Sequence, residues 1–407
     1  MKRLWFLLLP VLVFGDDLKS LLEYANTHNN LLLSSKLSKD AKQKELDSKN
    51  SAYFPTVDIG AFYQNTNERN YGQPGGVYSA YGKFGFDIYD GGKKSSLADK
   101  AKYDYQAGIH DEAEMKKSLN LQIAQNFYAI KSLQANLDAR EDAGASIAQQ
   151  LERIKKFYAA KLATKDDIDR LQASYDTNIY EIEALRFEIL SAKRSLELKV
   201  GKSINTLEDS NFKERTDAAL EVTEGIKSLS WQKSAVAKSA ESIESIYYPQ
   251  VRVEDTYSIY GYDATDAIHP KGVDNQNVLL LSVHMRIFDY GTAKDAKQAI
   301  ELSSKALNEQ IRYKTSEQKM NYELALSRIQ TSKIKIQSAR SALTAAKSAF
   351  KTIEQKYNAG IADYIVYLDA LTSRTSAEAL YTTSLNELET AYAIYYYYAG
   401  KNIEEYL

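Results

Sequence analysis

The chain of 407 residues repeats one long pattern, and the period of that repeat narrows the choice of fold more than any other feature. Tyr53-Phe54-Pro55 opens a β-like stretch that ends at Ile88-Tyr89-Asp90-Gly91-Gly92 and runs into a long segment without proline. Tyr247-Tyr248-Pro249 opens a second, ending at Ile287-Phe288-Asp289-Tyr290-Gly291 before another such segment. Pro55 and Pro249 are 194 residues apart, and the turn aromatics Tyr89 and Phe288 are 199 apart. The repeated unit is two short strands followed by very long helices.

Alternation defines the strands. Val57, Ile59, Ala61 and Tyr63 share one face of the first, and Asp58 and Gln64 the other. In the last strand Leu279, Leu281, Val283, Met285 and Ile287 oppose Ser282, His284 and Arg286. Val251 to Tyr260 is weaker, because Asp255 sits on the face of Val253 and Tyr257. The expected strands are 56–66, 78–89, 251–262 and 277–288, each near the 9–11 residues that cross a bilayer. One face apolar and one polar is what a barrel wall requires, but four strands cannot close one, so closure demands several chains. The loop 68–76 carries Gly72, Pro74, Gly75 and Gly76, and Pro270 marks its counterpart.

The remainder reads as helix. Leu18 to Ala52 is amphipathic and stops before Pro55, where the helical region is disfavoured. Helices are expected over 93–156, 165–199, 292–355 and 362–398, with a mainly apolar stripe stepping by three and four as in Tyr322, Leu326, Ile329, Ser332, Ile336, Ala339 and Leu343. A continuous helix from Gly92 to Lys156 would be on the order of 95 Å long. Residues 202–223 break the pattern and form a connecting segment between a first repeat, 16–201, and a second, 224–407. Residues 1–15 read as a secretory signal: Lys2-Arg3, an apolar run from Leu4 to Phe14, and small Gly15. No other stretch approaches an apolar 18-mer.

Composition removes several functions. Lys and Arg number 52 against 54 Asp and Glu, which gives no bulk charge for a nucleic-acid partner. Without cysteine there is no disulfide, thiolate site or Cys nucleophile. The four His, at 28, 110, 269 and 284, show no ligand spacing, and Gly201-Lys202-Ser203 lacks the earlier glycine of a phosphate loop. No catalytic, cofactor or metal site is expected, and the chain does not read as an enzyme. The 31 Tyr residues suit helix packing and membrane–water boundaries alike.

Two short turns join the helix pairs at the 199-residue offset: Phe157-Tyr158-Ala159-Ala160-Lys161-Leu162-Ala163-Thr164 and Lys356-Tyr357-Asn358-Ala359-Gly360-Ile361-Ala362-Asp363. With the duplicated order of elements and the proline at each helix-to-strand junction, they resemble the TolC-like outer-membrane efflux channels over essentially the whole chain after the signal. The resemblance implies a mostly α fold with a β membrane part: a homotrimer whose twelve strands form one barrel in outer-membrane lipid, and a helical tunnel in the periplasm. It implies passive exit for substrates delivered by an inner-membrane RND or ABC transporter through a periplasmic adaptor (membrane fusion) protein. The hairpin tips Ala160, Lys161, Leu162 and Ala359, Gly360, Ile361 would dock that adaptor. Asp369, Tyr357 and Asp167 fall at the family's pore-gate positions, while Val366 and Ala362 replace an acidic and a basic gate residue, and Lys161 replaces a glycine. Read without the resemblance, Asp369 is a solvated helix residue, Tyr357 a packing residue and Asp167 a helix N-terminal acid. The alternative for the whole chain is an exported coiled-coil structural or adhesion protein.

Overall fold

The computed structural model describes residues 15–68, 70–72, 74–263 and 265–407, so the signal lies outside the described residues except for Gly15. Seven α-helices and four strands are described: α1 (Leu18–His28), α2 (Asn30–Ser51), β1 (Thr56–Asn65), β2 (Gly76–Asp90), α3 (Lys93–Ala159), α4 (Lys165–Val200), α5 (Glu224–Glu244), β3 (Gln250–Asp263), β4 (Asn275–His284), α6 (Thr292–Asn358) and α7 (Tyr364–Tyr398). The fold is mostly helical with one antiparallel sheet, as expected. None of the described helices is long and apolar enough to cross a membrane.

The duplication is kept in register. Both α3 and α6 have 67 residues, with first residues 199 apart. Asp90 accepts from the Gly92 N–H at 3.1 Å and the Lys94 N–H at 2.6 Å, and Asp289 accepts from Gly291 and Ala293 at 3.0 Å each. Such side-chain caps satisfy the first free amides of a helix. Left-handed residues recur at the same offset: Gly91 with Tyr290, Lys161 with Gly360, Gly201 with Gly400.

Two compact units make up the chain, and each draws on both halves. One comprises residues up to Ser35, Glu112–Glu224 and Thr315–Leu407. Its core packs Leu18, Leu21 and Leu22 of α1, Ile123 and Phe127 of α3, Leu196 of α4 and Tyr392, Tyr395 and Tyr396 of α7. The consecutive tyrosines of α7 pack between helices. Residues 202–223 contain no helix or strand, and tyrosine hydroxyls hold them instead. Tyr128 donates to the Ser210 carbonyl at 2.9 Å, Tyr322 donates to that of Ala218 at 3.1 Å, and the Ala218 N–H donates to the Tyr395 hydroxyl at 3.0 Å. Glu389 accepts from the Phe212 N–H at 2.6 Å.

The continuous helix expected over Leu18–Ala52 is interrupted at Asn29, which has extended backbone. Its Oδ1 accepts from the N–H groups of Leu31 and Leu32 at 2.7 and 3.1 Å, and its Nδ2 donates to the Lys199 carbonyl at 2.6 Å. A short amide that can cap a new helix offers the backbone an alternative to continuing the old one.

The other unit, Lys36–Asp111 and Gly225–Lys314, holds the sheet, ordered β1-β2-β3-β4 and antiparallel throughout. Residues opposite one another share a face. The pairs Ile59↔Gly82↔Tyr257, Val57↔Phe84↔Asp255↔Leu279 and Phe86↔Val253↔Leu281 therefore build one largely apolar, exposed face, with Ile59 90% and Leu279 73% accessible. The opposite face carries ion pairs: Arg252 with Asp87 at 2.7 Å and Glu254 at 2.9 Å, Lys83 with Glu254 at 2.8 Å, and Lys94 with Asp87 at 2.9 Å. Strand β4 ends at His284 rather than at the expected 288, leaving Ile287 and Phe288 exposed outside the ladder.

Candidate functional site: the two hairpin tips

Both tips lie in the first unit and close by the same hydrogen bonds. In the first, the Leu162 N–H donates to the Phe157 carbonyl at 2.8 Å and the Lys161 N–H to Tyr158 at 2.9 Å. In the second, Ile361 donates to Lys356 at 2.8 Å and Gly360 to Tyr357 at 3.1 Å. This is the Schellman ending of a helix, which needs one left-handed residue. Gly360 adopts φ 74° freely, whereas Lys161 adopts φ 65° against its own Cβ. Leu162 and Ile361 occupy the same position in the two motifs and are exposed, at 76% and 77%. Each tip thus presents an unsupported apolar side chain.

Thr164 and Asp363 then start the returning helices as N-caps. Asp167 forms a capping box with Thr164: its carboxylate accepts from the Thr164 N–H at 2.8 Å and hydroxyl at 2.7 Å. These bonds, the backbone one first, hold its carboxyl below the usual range. Asp167 is therefore engaged in its own helix end, not hydrogen-bonded to Tyr357.

Tyr357 is half-buried and stacks on Tyr367, with centroids 4.9 Å apart; Tyr367 packs on Phe350 at 5.6 Å. Burial raises the Tyr357 hydroxyl above its ordinary value, opposed by the Arg153 charge and aided by Asp363 and Asp167. Asp369 lies on the exposed side of α7, with no hydrogen bond or ion pair to any described residue, and Val366 is also exposed.

The group that joins the two tips is Arg153, which the sequence reading passed over. Its Nη1 donates to the Asn358 side-chain oxygen at 2.6 Å and its Nη2 to the Asn358 carbonyl at 3.2 Å. Its guanidinium carbon lies 5.2 Å from the ring centroids of both Phe157 and Tyr357. One cation thus sits between an aromatic of each tip and ties down the last carbonyl of α6. Ala362 carries no charge, so the cation beside the tip aromatics comes from α3. The available signal was an arginine one helical turn before the tip aromatic Phe157.

Residues 21–202 match the family described as outer membrane efflux protein. A stretch of 164 residues is 24% identical to outer membrane protein TolC of Vibrio cholerae, spanning 40% of this chain and 37% of that protein. Over residues 21–202, a little under half of its length, the chain is similar to the outer membrane efflux proteins. Its fold is theirs as well. The outer membrane protein VceC of V. cholerae superposes with a TM-score of 0.81 at 16% identity, covering 95% of this chain and 96% of that one. The Campylobacter jejuni CmeC outer membrane channel gives 0.85 at 13% identity, covering 95% and 86%. These relatives are channels and membrane proteins, not enzymes.

Proposed function

We propose that the protein is a trimeric outer-membrane channel giving passive exit to substrates delivered by an inner-membrane pump through a periplasmic adaptor. It resides in the outer membrane, with its helical part in the periplasm. The observation that carries this reading is the sheet: four antiparallel strands, apolar and exposed on one face, ion-paired on the other, and open at both edges. An open edge in an isolated sheet is a hazard that a barrel removes. Three chains supply twelve strands, enough to close one around a polar lumen. The hairpin tips form the periplasmic aperture, with Asp369 lining it, Arg153 holding the tips together, and the Leu162 and Ile361 knobs offered to the adaptor. The test is reconstitution: a heat-modifiable trimer giving stepwise conductance in planar bilayers is expected, and a soluble elongated monomer or dimer without conductance refutes it.

A further inference from the structure

The closed junction between β2 and β3 serves as a template for the junction this chain would make with a second copy of itself. The two hairpins are superimposable in register. Thr56↔Gly85 in the first corresponds to Gln250↔His284 in the second, Val57↔Phe84 to Val251↔Val283, and Asn65↔Gly76 to Ile259↔Asn275. Every step uses one pair of offsets, 194 from β1 to β3 and 199 from β2 to β4. Hence β4 stands to the β1 of a neighbouring copy as β2 stands to β3 within the chain.

Carrying the observed β2–β3 pairing through those offsets places Leu281 opposite Tyr63, Val283 opposite Ala61 and Met285 opposite Ile59. Apolar residues meet apolar residues on one face, with no strand turned over. A slip of one residue would break this match. The pair Asp87↔Arg252, an ion pair at 2.7 Å, becomes Arg286 opposite Asp58. The charges are exchanged between strands, yet they still attract. Both side chains are exposed, and neither makes a hydrogen bond or salt bridge to any described residue. The irregular stretch beyond His284 has the same explanation: the equivalent residues of β2, Phe86 to Asp90, pair with β3 except at the bulged Ile88, whereas in a lone chain Met285 to Asp289 have no strand beside them.

We propose that β4 pairs with β1 of a second copy in this register, with Arg286 and Asp58 as the intersubunit ion pair, and that pairing extends β4 past His284 into residues 285–289. The proposal rests on the trimeric reading above but is narrower than it.

The chain has no cysteine, so paired cysteines introduced for crosslinking have no background. Full-length Asp58→Cys/Arg286→Cys, oxidised in outer-membrane fractions, is expected to give covalent trimers on denaturing gels. Ile59→Cys/Arg286→Cys, which puts the thiols on opposite faces, is expected to give few. In a second arm, Asp58→Arg should lower the trimer fraction severalfold and Asp58→Arg/Arg286→Asp restore it. Native trimers that crosslink at a shifted pair and not at 58/286, or a charge exchange that fails to restore them, overturn the register and leave the channel standing. A chain that forms no trimer overturns both.

Discussion

Arg153→Ala removes the cation that joins the hairpin tips. Two charge-assisted hydrogen bonds to Asn358 are lost, at 2.6 and 3.2 Å in a partly exposed setting, together worth about 1 kcal/mol. Two cation–π contacts at 5.2 Å add about 0.5 kcal/mol each at an exposed site. The total, about 2 kcal/mol per chain, shifts an opening equilibrium roughly 30-fold. Single-channel recording in planar bilayers is the assay: the variant should dwell more in its high-conductance state, with the β-sheet signal in circular dichroism unchanged. Arg153→Lys keeps the charge but loses the forked geometry and should fall between. Asn358→Ala alone should reproduce part of the effect, and the double variant should fall short of the sum of the two. Unchanged dwell times in Arg153→Ala, or strict additivity with Asn358→Ala, would refute the clamp.

Lys161→Gly should stabilise the first unit by about 0.5–1 kcal/mol, because glycine accepts φ 65° without a Cβ clash; the denaturation midpoint reads this directly. Asp369→Ala should reduce cation selectivity, since three copies around one aperture concentrate negative potential there; an unchanged reversal potential sinks that role. Glu389 is pushed up to about 7 by burial, with the nearby Glu214 adding to it, against 4.5 when unfolded. The native state then holds the proton more tightly, so stability is greatest below pH 4.5, declines up to about 7 and levels off above it. Glu389→Gln should flatten that segment of the curve.

The strands were legible because apolar and polar residue types alternate along them, and the helices because proline and glycine mark their ends. What escaped depended on residues distant in sequence. Arg153 reads as one more basic residue on a polar helix until Asn358, 205 positions later, is placed beside it. Asn29 is a tolerable helix residue until the Lys199 carbonyl draws its amide. Residues 202–223 have no periodicity to find, since their partners are tyrosine hydroxyls on helices far along the chain. Strand β4 runs shorter than its alternation suggests because a strand needs a neighbour as well as a pattern. Of the residues that the resemblance put at the gate, Tyr357 lies against the Arg153 guanidinium, and the Asp167 carboxylate caps its own helix.

The two offsets, 194 before the strand turns and 199 after them, have a further consequence. From the junction prolines to Gly201 and Gly400 the two halves differ by five residues, and both hairpins keep identical pairing, so that difference falls in the turn that joins β3 to β4. Length has been free to change only where the chain reverses with no further element attached, while 67-residue helices have kept an identical residue count. Peptide tags or reporter epitopes placed between Asn65 and Gly76, or between Asp263 and Asn275, would repeat an alteration this chain already carries. The same insertion in a helix would put every later residue out of step.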